Sequence, residues 1–418
     1  MISDSRRIAI GSVGVISALG IGRQALCRSL AAGRGGIGKV SLFETTELRC
    51  HTAAEIRDFD PHDYLRGKPL RGMSRSAHLV CSATSLALSE AEQRFPLPDA
   101  KRVALVAGTS HGNVNSVVRF DRESYYEGPK FVDAMLFPNT VINSPAGFVS
   151  IFFGLTGPNT TVSEGITSSL RAFDYAARLL QRGAADQVIA GGLEELSRWV
   201  YLGMHNSGRL AGSRAGDAEE AAPFDRRRTG VVLGEGVAML QLLAPAAVER
   251  AGCAPHAWMT GYGESFVTGR LGEPDACDTG AARRAMVVAM RDALHAAGVR
   301  PGQVDAVWAS AGGDRTLDAL EAEALGEVFG ERAGELPVVA VKGALGECFG
   351  ASGALQVSGA LLTLVEGIVP ATHGFVETDC SPALGGLRSE PRRIEARHVL
   401  INGFSGSGNN ASLVLSRA

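Results

Sequence analysis

The sequence predicts an α/β protein made of two halves that share one order of strands and helices. Short apolar runs alternate with segments of helical period along the whole chain, the pattern of βαβ units. Most of these runs break into glycine turns, and 52 glycines in 418 residues is what many tight strand-to-helix connections need. The order found in residues 1–245 returns in residues 246–418, which predicts two domains of duplicated architecture, with sheets covered by helices and sites at strand ends. Identity between the halves is too weak to show a repeat by itself.

In chain order, residues 7–16 (RIAIGSVGVI) predict a buried strand ending in a glycine turn, and residues 23–32 a helix stopped by Gly33. Residues 55–64 read as a polar loop. Residues 73–91 predict a helix with Ala77, Val80, Cys81, Thr84, Ala87, Leu88 and Ala91 on one face. Leu79 and Leu86 fall opposite, so burial on more than one side is expected. Residues 104–107 predict a strand. Residues 110–138, with Phe120, Tyr125, Tyr126, Phe131 and Phe137, predict a long irregular segment, of the kind that is functional or covered by a partner. Residues 161–170 (TVSEGITSSL) predict a strand turning sharply into a buried helix that ends at Gly183. A strand at 187–190, a surface loop at 209–220 and a strand at 231–243 complete the first half. The second half predicts strands at 257–262, 304–309, 338–342, 398–401 and 411–415, with helices at 280–297, 317–329 and 352–365.

Composition excludes several classes. With 41 basic against 44 acidic residues, nothing argues for nucleic acid or a membrane surface. No apolar run reaches the roughly 18 residues of a spanning helix. The first residues, MISDSRRIAI, lack the apolar core and cleavage site of a signal peptide. Cys27, Cys50, Cys81, Cys253, Cys277, Cys348 and Cys380 are scattered without metal-ligand or redox spacing. Reduced thiols, a cytoplasmic location and no metal or cofactor are therefore expected.

Residues 161–170 organise the functional reading. A helix N-terminus offers free N–H groups and a positive dipole end, which stabilise a thiolate or an oxyanion. The turn here carries Glu164, Gly165, Ile166 and Thr167, and no cysteine.

At these turns the chain resembles a β-ketoacyl-acyl carrier protein synthase of the thiolase superfamily. The resemblance runs from about residue 7 to residue 416 and rests on motifs in order: Ala32-Gly33-Arg34 with Gly36-Ile37; Asp58-Phe59-Asp60-Pro61; residues 143–147 followed by 154–159 (GLTGPN); and Ala190-Gly191-Gly192 with Glu194. Next come Pro223-Phe224-Asp225, residues 230–236 (GVVLGEG), Lys342 with Gly346, Gly350, Ser352 and Gly353, and Asn410-Ala411-Ser412-Leu413. The resemblance implies a duplicated five-layer αβαβα sandwich that works as a dimer across a sheet edge. It also implies a cysteine that takes the acyl group and two histidines that hold the enolate formed on decarboxylation of the malonyl extender.

Three positions depart from that pattern. The cysteine position falls on Ile166. The first histidine position falls on Ser310, or on Ala311 if the register slips by one. The second, five residues after the retained Lys342, falls on Glu347. The gating-loop phenylalanine of the family falls on Gly406. Ile166 is either drift that plugs the old pocket or a residue shaping a shared lipid tunnel. Glu347 is expected to form an ion pair with Lys342 that fills the emptied pocket. Ser168 and Thr167 are expected to make helix-start hydrogen bonds, since no histidine is expected near any of these positions. His111 is read as a lone structural or exposed histidine, and Cys348 as a small buried residue.

The resemblance further places Asp133, Ala134, Met135 and Phe137 at the dimer interface, reaching the floor of a partner's tunnel. Arg34, Lys68, Arg71 and Arg75 are candidates to meet an acidic acyl carrier protein. The chain is thus expected to be a chain-length-factor-type subunit without the Cys-His-His set. Its expected partner is an active ketosynthase in type II polyketide, aryl polyene or fatty acid biosynthesis. The alternatives are a divergent acyltransferase, hydrolase or decarboxylase using Ser168 or Glu347, and a homodimeric carrier-binding scaffold.

Overall fold

A computed structural model describes residues 7–67, 69–268, 278–381 and 384–418. Lys68 and Cys277 lie outside the described residues. The expected α/β architecture is present, and its duplication is visible in the sheet. Five strands of the first half lie in the order Asn159–Val162, Val103–Gly108, Gln187–Glu194, Gly236–Leu243, Ile8–Ser17. Five of the second lie in the order Val338–Val339, Ala306–Trp308, His398–Phe404, Asn409–Arg417, Ala257–Phe266. Numbered within each half, both read third, second, fourth, fifth, first, and both have the same parallel and antiparallel pairings. The two sets join where Ile8 to Ile10 pair antiparallel with Ala257 to Met259.

Helices make the remaining layers. Arg75–Glu92 and Ser144–Phe153 cover the first set from outside, and Thr279–Ala297 and Arg315–Phe329 cover the second. Between the sets lie Ser168–Gln181 and Ser352–Glu366, which touch strands of both halves and each other. The result is the α–β–α–β–α stacking that the resemblance implies. Residues 352–364 are buried all round, which explains why that helix is rich in small and apolar residues. Caps mark the helix starts: Ser74 accepts from the Ala77 N–H at 3.2 Å, and Asp314 accepts from Thr316 and Leu317 at 3.0 Å.

Several expectations need correction. Residues 110–138 are not irregular throughout, because Val114–Tyr126 is a helix and Ala134–Thr140 a 3₁₀ turn. No residue of that helix is fully buried, and its apolar residues Val114, Val117 and Val118 are only half-covered. Residues 231–235 are buried but form only isolated bridges, and the strand proper is Gly236–Leu243. The predicted strand at 338–342 stops at Val339, and Lys342 starts the short helix Lys342–Leu345. Leu210 and Ala211, in the expected surface loop, are buried. Among the described residues no helix is long and apolar enough to cross a membrane.

The halves meet with little slack. A Cβ on Gly350, just ahead of the second central helix, would sit 2.5 Å from Thr109 Cα on the loop after strand Val103–Gly108. Gly350→Ala is therefore expected to lower unfolding stability by ~1–3 kcal/mol, the usual range for overpacking, measured by urea titration. A change below ~0.5 kcal/mol would show that this contact relaxes freely.

Candidate functional site

Strands Val103–Gly108 and Asn159–Val162 are parallel neighbours, with Gly108 opposite Val162. The loops after them therefore converge, and they deliver His111 and Ile166 to one place. After Val162 the chain makes a 3₁₀ turn, Gly165–Thr167, entered through Gly165 at φ 64°. Helix Ser168–Gln181 follows directly, the sharp strand-to-helix passage expected. The hydroxyls in this turn are committed to holding it. Ser168 Oγ accepts from the Glu164 N–H at 2.9 Å and donates to Gly165 O at 2.7 Å. Thr167 Oγ1 donates to Glu164 O at 2.8 Å. Ser168 and Thr167 are buried and do not line the cavity in front of the turn, whereas Ile166 does.

The second half supplies the opposite wall. Ser310, Ala311 and Gly312 follow strand Ala306–Trp308, and Gly406 lies in the turn between the last two strands. Ser310 Oγ accepts from the Phe404 N–H at 2.8 Å. Lys342 and Glu347 form the expected ion pair, Nζ to Oε2 2.7 Å, with both side chains buried. The other Glu347 oxygen accepts from the Phe349 N–H at 2.9 Å and from Ser352 Oγ at 2.7 Å. A carboxylate with three donors is a satisfied buried charge. Thus Ile166, Ser310, Ala311, Lys342, Glu347 and Gly406, gathered from four separate stretches, line one cavity of about 270 Å³. The expectation that the pair and Ile166 fill the old pocket is corrected: they form its wall and leave the space open.

Two buried acids in the lining were not singled out from the sequence. Asp318 and Glu321 project from helix Arg315–Phe329 and are buried. Asp318 accepts from the N–H groups of Phe224 at 2.8 Å, Gly312 at 3.1 Å and Gly313 at 3.0 Å. Burial pushes its carboxyl up to about 7. Glu321 accepts from Ser310 N–H at 2.9 Å and Asn402 Nδ2 at 3.0 Å, and burial raises it too. The available signal was two acids three residues apart on the apolar side of an amphipathic helix.

His111, read from the sequence as a lone structural or exposed histidine, also lines the cavity, which overturns the expectation that no histidine lies near these positions. Its Nδ1 is buried 3.4 Å from Glu194 Oε1, and its ring meets Phe349 edge-on at 4.7 Å. Glu194 is fixed in turn by the N–H groups of Ser110 at 2.8 Å, His111 at 2.9 Å and Gly350 at 3.0 Å. Cys348 is buried away from the cavity, with its thiol pushed well up by burial, as its reading as a small buried residue requires. Among the described residues no group of three or more His, Cys, Asp or Glu is placed to hold a metal ion.

Other candidates are not brought to this cavity. Asp133 caps the 3₁₀ turn Ala134–Thr140, accepting from the Met135 N–H at 2.9 Å. Met135 and Phe137 are 55% and 62% exposed, on the outer surface. Arg75 is corrected as a carrier-protein contact. It is bound inside to buried Glu235, with Nε to Oε2 3.0 Å and Nη2 to Oε1 2.6 Å. Arg34 and Arg71 are exposed. At Gly406 a Cβ would come 2.8 Å from Arg209 Nη2, so Arg209 lies over this glycine at the cavity, 3.8 Å from Asp314 Oδ2.

Comparison with known proteins matches residues 5–246 to the family described as "Beta-ketoacyl synthase, N-terminal domain" and residues 272–376 to the corresponding C-terminal domain. The chain is 29% identical to the "3-oxoacyl-[acyl-carrier-protein] synthase 2" of Coxiella burnetii, over 99% of both chains. It is 31% identical to the "Actinorhodin polyketide putative beta-ketoacyl synthase 2" of Streptomyces coelicolor, over 98% of both. Among solved structures, one titled "The ishigamide ketosynthase/chain length factor" superposes with a TM-score of 0.89 at 26% identity, covering 99% of this chain and all of that one.

The geometry of the ion pair yields a stability test. Lys342→Met leaves Glu347 buried without its cation, a loss of ~3–5 kcal/mol in denaturant unfolding. Lys342→Met combined with Glu347→Leu is expected to regain most of that loss. A double variant no more stable than Lys342→Met would show that the charge imbalance is not what costs stability.

Proposed function

The chain belongs to the β-ketoacyl synthase family, and from that premise we propose that it is a non-catalytic subunit of the chain-length-factor type. It pairs in the cytoplasm with an active ketosynthase that performs the condensation, receives growing chains from an acyl carrier protein, and walls the tunnel in which they lie. The product class is a polyketide, an aryl polyene or a fatty acid. One observation carries the reading: the side chain presented by the helix-start turn is the hydrocarbon of Ile166. It neither attacks a carbonyl nor forms a thioester. The positions opposite it, Ser310 and Glu347, supply no imidazole, and Glu347 is spent on Lys342.

The surface supports a partner. Strand Asn159–Val162 ends the sheet order, and an unpaired edge invites another chain. Tyr125, Tyr126, Phe131, Met135, Phe137 and Ile151 are exposed on neighbouring segments, more large apolar side chains than a solitary subunit usually leaves in water. Asp133, Ala134, Met135 and Phe137 are assigned to this interface. The alternative of an acyltransferase, hydrolase or decarboxylase loses support from the hydrogen bonds that occupy Ser168 and Glu347.

Incubated with acyl- and malonyl-carrier protein, the purified chain is expected to show no covalent acylation by mass spectrometry and no release of carbon dioxide. Ile166→Cys is expected to leave condensation absent, because the two histidine positions remain empty. Elongation by the chain alone, or by that variant alone, overturns the reading. Co-expressed with a ketosynthase encoded nearby, the chain is expected to form a heterodimer whose products shorten when Met135→Trp is introduced. A homodimer that ignores the ketosynthase removes the proposed role, and unchanged product lengths remove Met135 from the tunnel.

A further inference from the structure

The cavity keeps its open space although the proposed role assigns it no reaction, so what it admits is a separate question. Its charged groups are paired. Two cations line it, Arg209 and Lys342, with the carboxylates of Asp314 and Glu347, while burial drives the other two lining acids, Asp318 and Glu321, toward their neutral forms. Lys342, the buried cation, is held by Glu347 at 2.7 Å. Arg209 faces Asp314 at 3.8 Å. Asp318 and Glu321 are buried behind Gly312 and Ser310, and their hydrogen bonds come from neutral N–H groups. A carboxylate entering this space finds its buried cation, Lys342, already neutralised, and meets the Glu347 carboxylate that neutralises it. Beside the buried Lys342–Glu347 pair such like-charge encounters are screened weakly. A neutral group meets instead the Ile166 and Phe349 side chains, the hydroxyls of Ser405 and Ser407, and the accessible edge of His111.

We infer that Glu347, by cancelling Lys342, makes this cavity a charge filter that admits neutral acyl groups and rejects acyl groups bearing a free carboxylate. The inference deepens the reading of the chain as a non-catalytic family member, since it takes the ligand to be an acyl-pantetheine. It adds a division of labour: a carboxylate-bearing extender is turned away here and left to the partner's site. The selection is electrostatic, so it depends on the charge of the acyl terminus and little on its shape.

Two probes isolate that variable: malonyl-pantetheine amide and 3-oxobutyryl-pantetheine amide. They have the same length and nearly the same shape, but only the first ends in a carboxylate. By calorimetry with the full chain, the oxobutyryl probe is expected to bind at least ~10-fold tighter. Glu347→Gln frees Lys342 and is expected to improve malonyl binding by ~10-fold relative to oxobutyryl binding, with an unchanged circular dichroism spectrum as the sign of an intact fold. Asp314→Asn keeps a helix-capping side chain, releases Arg209, and is expected to move the preference in the same direction. Equal binding of both probes by the unmodified chain, binding of neither, or an unmoved preference in both variants overturns the inference. Neither probe can acylate the protein, so covalent turnover, which would defeat the proposed role, is read independently by mass.

Discussion

The close approach of two buried helices governs the rest of the molecule. Ser168–Gln181 and Ser352–Glu366 lie between the two sets of strands, and a Cβ on Gly353 would come within 2.6 Å of Leu170 Cγ. A contact without room for a methyl group leaves neither helix free to shift. The residues just ahead of these helices, Ile166 and Glu347, are therefore displayed by the core. Replacing a reactive side chain there changes what the cavity offers and leaves the frame that holds it. This is why the pocket keeps its shape whatever side chains line it.

Glu347 shows how such a position is refilled. A bare carboxylate would be costly in this setting, but the local backbone already points the Phe349 N–H at it, and Ser352 and Lys342 complete its shell. The substitution thus needs no rearrangement of the retained lysine. Ile166 is the simpler case, since a hydrocarbon on a partly apolar wall asks for no hydrogen bond. Together the two residues give the cavity wall a hydrocarbon and a neutralised cation.

Much of this was legible in the chain. Glycine turns after apolar runs located the strands, because tight strand-to-helix passages need residues such as Gly165 at positive φ. Motif order placed Ile166, Ser310, Lys342, Glu347 and Gly406, which the fold brings to one cavity. What escaped has physical causes. Helix Val114–Tyr126 has no fully buried residue, and the aromatic, polar run around it reads as a loop. His111 reaches the cavity only because two strands distant in sequence are neighbours in the sheet. Arg75 resembles any surface arginine until its partner Glu235, 160 residues away, is in place. Asp318 and Glu321 were hidden by the convention that charges on a helix face water, which buried carboxylates with backbone donors evade.

The edge strand Asn159–Val162 has one more implication. Only residues 163–165 separate its end from Ile166, so the outermost rim of the sheet and the innermost wall of the cavity are a single short piece of backbone. A chain that zips onto that rim stiffens the turn, and an occupant of the cavity leans on the same turn from the other side. Occupancy and assembly then share a free-energy account in both directions: whatever one does to the other's affinity is returned in equal measure.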